Sequence, residues 1–186
     1  MSKKKQVQAA IAAAASLSAA LGATGVAGAA PTDGNWVPDQ NVTYHKEGLT
    51  SAEDGGTNWG INNVNKSVMH GTSSTSTGQI EVFESPQSPG VLGVYQCTSY
   101  YPDGTNGPYC SHSDVLYDHD HVAGLSTTNW KWLGCHEIGH SAGMGERYDS
   151  ASSASCQENE GNINSETALQ ADDLAEINKD FPAHTS

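Results

Sequence analysis

The sequence predicts a single α+β domain with a small, mostly β N-terminal part, a long helix near its middle and a C-terminal helix. Polar and apolar residues alternate with period two in residues 79–84, as in a half-buried strand. Core-type apolar residues are frequent in residues 129–142, and they recur near helical spacing in residues 165–181, where Pro182 follows. Strands that precede helices in this way are typical of an α+β fold.

The other predicted elements are assigned from local composition. They are a first strand at residues 36–37 and 42–44, a polar loop at 51–56, a helix at 59–70, a flexible turn at 71–78 and two more strands at 91–97 and 113–118. The Gly, Ser and Asn residues between them are typical of turns.

Residues 1–29 have the features of a secretory signal peptide. Three lysines at positions 3–5 precede an Ala-rich apolar stretch at 7–21, which is too short for a comfortable membrane span. A small-x-small cleavage site, Ala-Gly-Ala, ends at Ala29. A membrane anchor or a cytosolic Ala-rich helix is the less favoured alternative. We therefore expect a secreted protein whose mature domain is residues 30–186 and which has no membrane contact after cleavage.

The chain is strongly acidic, with 8 Lys and Arg against 21 Asp and Glu and a formal net charge of −13. Loss of the three leader lysines leaves five basic residues and a net charge of −16. This balance argues against nucleic acid and anionic membranes as partners, because both require a cationic surface. The excess of acidic residues is compatible with Ca²⁺ sites. We expect the protein to be a monomer.

Four cysteines in an exported chain indicate two disulfides. Three pairings are possible. We favour Cys97 with Cys110 and Cys135 with Cys156, because each bond closes a short segment. The second bond would tie the long helix to the loop after it. Neither pair has zinc-finger spacing.

Residues 135–146 read C-H-E-I-G-H-S-A-G-M-G-E and begin with an H-E-x-x-H motif. On a helix, His136 and His140 lie one turn apart on one face, so both imidazoles can reach one cation. Zinc accepts imidazole nitrogen and tolerates a tetrahedral site with one open position. Glu137 lies between the histidines and can act on a water molecule bound there.

Gly143 follows His140 by three residues, and Glu146 follows Gly143 by three. The whole string, H-E-x-x-H-x-x-G-x-x-E, resembles the motif of the metzincin zinc metalloproteases, H-E-x-x-H-x-x-G-x-x-H. It is similar in particular to matrixin-like and snapalysin-like small secreted proteases. In that motif the glycine lets the backbone leave the helix and return a third ligand to the metal. The resemblance covers residues 113–181.

The resemblance implies a zincin-like (metzincin) domain and a secreted zinc-dependent metalloendopeptidase that acts on polypeptides. It implies that His136, His140 and Glu146 hold Zn²⁺. It also implies that Glu137 is the general base for a zinc-bound water that attacks the peptide carbonyl. In matrixin-like chains a strand such as residues 113–118 forms one wall of the substrate cleft, to which a peptide adds as an extra strand.

Two positions depart from the family's pattern. Glu146 stands where metzincins usually have His, or Asp in snapalysin-like proteases. The turn that carries a methionine beneath the zinc in metzincins reads Cys156-Gln157 here. These departures leave open a second hypothesis, a catalytically impaired secreted pseudoprotease that acts as a binding module.

Several other residues could take part in a metal site. Glu158, Glu160 or Glu166 could supply the third ligand, although the segment around the first two is rich in Ser, Asn and Gly rather than helical. Tyr148 could donate a hydrogen bond to a tetrahedral intermediate, as tyrosines do in some metzincins. The run at residues 118–121, D-H-D-H, could be a second metal site like the structural ion sites of matrixins, but an exposed acidic loop is the favoured interpretation.

Overall fold

The structure is a computed structural model that describes residues 37–101, 109–146, 155–158 and 166–181. The predicted signal peptide, Trp36 of the first predicted strand, Tyr148 and Glu160 lie outside these residues. Within them, the strands of one five-stranded sheet and the helices both contribute to the buried apolar core.

The five strands of the sheet lie in the order β2-β1-β3-β5-β4. Neighbouring strands are parallel except for β4, which runs antiparallel to β5 at one edge. The strands are β1 (Asn41–Glu47), β2 (His70–Ser74), β3 (Ile80–Glu84), β4 (Gly93–Tyr100) and β5 (Cys110–Tyr117). The strands predicted at 42–44, 79–84, 91–97 and 113–118 therefore exist, with bounds shifted by a few residues.

Four helices accompany the sheet, and the described part of the chain is a mixed α/β fold. They are α1 (Ser51–Val64), α2 (His119–Val122), α3 (Thr127–Ser141) and α4 (Ala171–Asp180). The helix predicted at 129–142 is α3, and the helix predicted at 165–181 is the shorter α4. The part before α3 is less purely β than expected, because it contains the 14-residue α1.

The polar loop predicted at residues 51–56 is wrong, because these residues form the first turns of α1. The Thr50 side chain accepts a hydrogen bond from the Glu53 backbone, and the Glu53 carboxylate accepts one from the Thr50 backbone. This is a capping box, and its T-x-x-E pattern is present in the sequence. The helix ends at Val64, before the predicted end at residue 70.

The flexible turn predicted at residues 71–78 is also partly wrong, because His70–Ser74 form the edge strand β2. Its sequence, H-G-T-S-S, has no apolar alternation. Its order comes from parallel pairing with β1, in which Val42 lies opposite Gly71. His70, the first residue of this strand, is exposed.

Helices α1 and α3 approach each other closely enough that only glycine fits at the contact. A Cβ atom on Gly60 would lie 2.2 Å from the backbone oxygen of Gly134, and one on Gly134 would lie 2.1 Å from that of Gly56. Buried hydroxyl pairs tie the sheet to both helices: Tyr44 Oη lies 2.9 Å from Ser141 Oγ, and Tyr117 Oη lies 3.1 Å from the Oγ1 atom of Thr57. These contacts fix α3 relative to the sheet.

The two disulfides are those favoured from the sequence, Cys97–Cys110 and Cys135–Cys156. The first joins β4 to the start of β5, and the second joins α3 to the chain 21 residues later. None of the described helices is long and apolar enough to span a membrane.

A matched pair of alanine substitutions in α1 tests the glycine contact. Gly60→Ala should lower the free energy of unfolding by about 1–3 kcal/mol, because the added methyl group overlaps the backbone of α3. Gly55→Ala is the control: this position is exposed and has no atom within 4 Å of an added Cβ, so it should stabilise by about 0.5–1 kcal/mol. Urea unfolding measures both, and equal changes would contradict the close contact.

Candidate metal centre

Helix α3 brings the two histidines of the motif together. The Ser126 side chain caps its N-terminus by accepting a hydrogen bond from the Asn129 backbone. His136 and His140 follow in the last turns, and their ring Nε2 atoms lie 3.1 Å apart. Both side chains are fully buried.

Gly143 turns the chain back towards these rings. Its φ of +86° lies in the left-handed region that only glycine adopts without strain, as expected from the sequence. Three residues later, Glu146 Oε1 lies 3.4 Å from Nε2 of His136 and 3.6 Å from Nε2 of His140. Ligands 2.0–2.1 Å from a tetrahedral zinc are about 3.3 Å apart. The three atoms therefore have the mutual spacing of zinc ligands.

Backbone carbonyls fix which nitrogen of each ring faces this point. The Nδ1 atom of His136 lies 2.8 Å from the carbonyl oxygen of Cys156, and that of His140 lies 2.7 Å from the carbonyl oxygen of Met144. Because a carbonyl only accepts, each Nδ1 carries a hydrogen and donates it. In the neutral rings each Nε2 then presents a lone pair to the other ring and to Glu146.

Three acceptors therefore converge without a donor. Neither carboxylate oxygen of Glu146 has a hydrogen-bond partner among the described residues, although the side chain is only 4% exposed. Burying unpaired acceptors is costly, so the arrangement favours a cation between them. A proton on one ring relieves only part of this repulsion, whereas a divalent ion can accept all three lone pairs. The residues present thus fit a metal ion.

The pKa values of the three groups are shifted because the groups are buried next to one another. Burial raises the pKa of Glu146, but the two adjacent imidazole rings favour the anion, outweigh burial and lower the pKa to about 2. Burial lowers the pKa of His136, but the adjacent carboxylates of Glu146 and Glu137 raise it above its ordinary value. Burial and the charge of His136 lower the pKa of His140. The site thus keeps Glu146 anionic.

Glu137 points towards strand β4 rather than into the group of three. It is fully buried, and neither oxygen makes a hydrogen bond of normal geometry to a described residue. Burial, together with the charge of Glu146, raises its pKa to about 8, while His136 and the Tyr95 backbone partly oppose the shift. A carboxylate with this pKa is a stronger proton acceptor than an exposed one.

Gly93, at the start of β4, makes room for this carboxylate. A Cβ atom there would lie 2.7 Å from Glu137 Oε1 and 2.9 Å from its Cδ and Cγ atoms. The sequence did not indicate this role of Gly93, because a glycine at the start of a strand predicts nothing about what lies opposite. The role of the Cys156 carbonyl was also not predicted, because residue type does not indicate which backbone oxygen accepts a hydrogen bond from a distant side chain.

The remaining predicted ligands are separate from this centre or lie outside the described residues. Glu158 and Glu166 belong to no group of potential ligands in the described ranges. Glu160 and Tyr148 lie outside them. Trp132 stacks on the ring of His136, with centroids 5.2 Å apart.

The run at residues 118–121 is not simply an exposed acidic loop. Asp118 is buried and caps the short helix α2 through the backbone of Asp120 and His121. His119 lies near Glu84 and Glu53, so these three form a second group of close polar side chains. Ca²⁺ takes six to eight oxygen ligands, so two carboxylates and a ring nitrogen do not match its preference.

The strand expected to form a cleft wall, residues 113–118, corresponds to the second half of β5, which ends at Tyr117, and this expectation is corrected in one respect. Strand β5 is paired on both sides, by β3 and β4, so it has no free edge for an added strand. The edge on this side of the sheet is β4, whose first residue, Gly93, contacts Glu137.

Comparisons with known proteins bear on the fold. No protein-family profile and no curated protein matches the chain. A solved structure of myroilysin matches 81% of this chain and 83% of its own, with 14% identity and a TM-score of 0.51. A crystal structure of myroilysin matches 87% of this chain and 96% of its own, with 15% identity and a TM-score of 0.49. Likeness at this identity shows the fold alone, and the first of the two matches shows that the chain folds like myroilysin.

The contact between Gly93 and Glu137 is testable by a double-mutant cycle. Gly93→Ala should lower the free energy of unfolding by about 1–3 kcal/mol, because the methyl group overlaps the carboxylate. In a Glu137→Ala background the same change should cost less, because the clashing atoms are gone. Gly145→Ala, where no atom lies within 4 Å of an added Cβ, is the control. Additive effects of the two substitutions in chemical unfolding would contradict the contact.

Proposed function

We propose that this protein is a secreted zinc-dependent endopeptidase whose metal ligands are His136, His140 and Glu146. One observation carries the proposal: three buried acceptor atoms converge at 3.1–3.6 Å without a donor, beside the buried carboxylate of Glu137. The fold shared with myroilysin and the metzincin-like motif support the same assignment.

Zinc is the metal proposed, because two imidazoles and one carboxylate are a ligand set found in catalytic zinc sites. Such a set leaves one coordination position open. A zinc ion held by His136, His140 and Glu146 would supply a Lewis acid for activating water and polarising a peptide carbonyl.

Glu137 is proposed as the residue that moves the proton. Its carboxylate follows the first ligand directly in the chain, and burial raises its pKa to about 8, which makes the ionised carboxylate a stronger base than an exposed one. The protonated side chain then donates to the nitrogen of the departing amine. Such proton transfer contributes about 10²–10⁴ to the rate of a hydrolytic reaction.

The proposed substrate is a polypeptide that pairs with β4. Among the described strands, β4 has one neighbour, β5, so its other edge offers backbone groups for an added strand. Gly93 places the start of that edge in contact with Glu137. The ring nitrogens of His136 and His140 and the carboxylate of Glu146 are buried. Metal binding and cleavage need separate measurements.

Secretion is proposed from three features. The first 29 residues resemble a signal peptide, and the four cysteines form two disulfides, which persist mainly in oxidising compartments. The net charge of −13 also suits a protein that stays in solution without nucleic-acid partners.

Substitution of Glu137 separates metal binding from cleavage. Glu137→Gln should retain zinc and reduce peptide hydrolysis by about 10²–10⁴-fold, because the amide cannot accept the proton. Zinc content and cleavage of a mixed peptide library measure the two effects, with the exposed Glu176→Gln as control. Undiminished cleavage would refute the role of Glu137. Zinc binding by the unaltered protein with no cleavage would instead support the binding-module hypothesis.

Substitution of Glu146 tests the third ligand. Glu146→Ala should weaken zinc binding by more than about 100-fold, because removal of a ligand costs more than the 10–100-fold typical of outer-shell partners. Competition with a chelator of known affinity measures the change, and Glu176→Ala serves as control. Unchanged affinity would mean that another group completes the site.

A further inference from the structure

Gln157 occupies the position where metzincins have the methionine beneath the metal. Unlike a methionine, it can donate hydrogen bonds from its side chain. The side chain is fully buried. Its Nε2 atom donates hydrogen bonds to two backbone carbonyls of α3, those of Cys135 at 3.2 Å and His136 at 3.0 Å. A thioether has no hydrogen to donate. The amide thus holds the backbone of the first proposed ligand directly.

The neighbouring residue, Cys156, also binds residues 135–136 of α3. The carbonyl oxygen of Cys156 accepts a hydrogen bond from Nδ1 of His136, and the disulfide joins Cys156 to Cys135. Residues 156–157 therefore hold residues 135–136 by three hydrogen bonds and one covalent bond. Two of these contacts, one to the ring and one to the backbone, converge on His136.

The helix is shaped to admit the amide. A Cβ atom on Gly139 would lie 2.2 Å from the Nε2 atom of Gln157 and 2.9 Å from its Cδ atom. Any side chain at Gly139 would therefore expel the amide from the carbonyls. The absence of a side chain at Gly139 is thus explained by the space that the Gln157 amide occupies.

Gln157 is itself fixed from the opposite side by α4. Its backbone N–H lies 3.1 Å from Ser155 Oγ, which donates to Oδ2 of Asp173 at 2.6 Å. Ser155 and Asp173 are both buried. This chain of hydrogen bonds connects the first turn of α4 to the backbone of His136 through two residues.

The Gln157 side-chain amide has one favourable orientation, and this orientation leaves one of its polar atoms unpaired. The Oε1 atom of Gln157 is buried without a hydrogen-bond partner among the described residues. Rotation of the amide by 180° would direct this oxygen at the carbonyl oxygens of α3, so the donating orientation is the only favourable one. A polar side chain kept in the core with half of its amide unpaired points to a role for the paired half.

We propose that Gln157, anchored by Ser155 and Asp173, is a positioning residue that holds His136 in the orientation needed to bind the metal. The inference rests on the proposed metal centre and deepens it. It replaces the missing methionine of the family's turn with a hydrogen-bonded clamp, so Gln157 counts as a support of the site and not as evidence of its decay.

The test compares zinc affinity with the stability of the metal-free protein. Gln157→Leu keeps the approximate volume and removes both donated bonds, and it should weaken zinc binding about 10- to 100-fold, as loss of outer-shell partners does. Asn63→Leu is the matched control. Asn63 is a buried amide that donates to the carbonyl of Trp59 in α1, away from the centre. It should lower the stability of the metal-free protein and leave zinc affinity unchanged.

The possible outcomes are distinct. Equal zinc affinity of Gln157→Leu and the unaltered protein would overturn the positioning role and leave the proposed function intact. Failure of the unaltered protein to bind zinc would overturn both. Should Gln157→Leu not fold, Ser155→Ala decides the question, because it keeps the amide and removes only its anchor. That variant should weaken zinc binding several-fold, and unchanged affinity would overturn the proposal.

Discussion

The main physical constraint at the candidate site is that the fold holds three buried lone pairs close together although they repel one another. Two ring nitrogens and one carboxylate oxygen face a common point at 3.1–3.6 Å, and their other hydrogen-bonding atoms are directed elsewhere. Such an arrangement is unstable without a positive charge between the groups. The fold holds it because helix α3, the left-handed turn at Gly143 and two backbone carbonyls fix each group independently.

Helix α3 is in turn held on several sides. Its close glycine contact with α1 sets its distance from that helix, and buried hydroxyl pairs link both helices to the sheet. Beneath its last turns, the disulfide and the amide of Gln157 hold the backbone that carries His136. The opposite requirement applies at Gly93, where the absence of a side chain leaves space for Glu137. Rigid support and a small amount of free space together define the site.

The errors in the sequence-based fold have identifiable causes. Residues 51–56 are polar and contain two glycines, so composition favoured a loop, but the capping box at Thr50 and Glu53 and the contact with α3 stabilise a helix there. Strand β2 has no apolar alternation, because it is an edge strand whose order comes from backbone pairing with β1. In both cases a tertiary contact outweighed local propensity.

The sequence by itself determined the chemistry that the site could have. The spacing of His136, His140, Gly143 and Glu146 predicts convergence because helix geometry and the conformational freedom of glycine are local properties. Only the tertiary structure decided what supports and surrounds these groups: the carbonyl of Cys156, the amide of Gln157 and the space at Gly93. These depend on which backbone atoms meet across the fold, and residue type does not encode that.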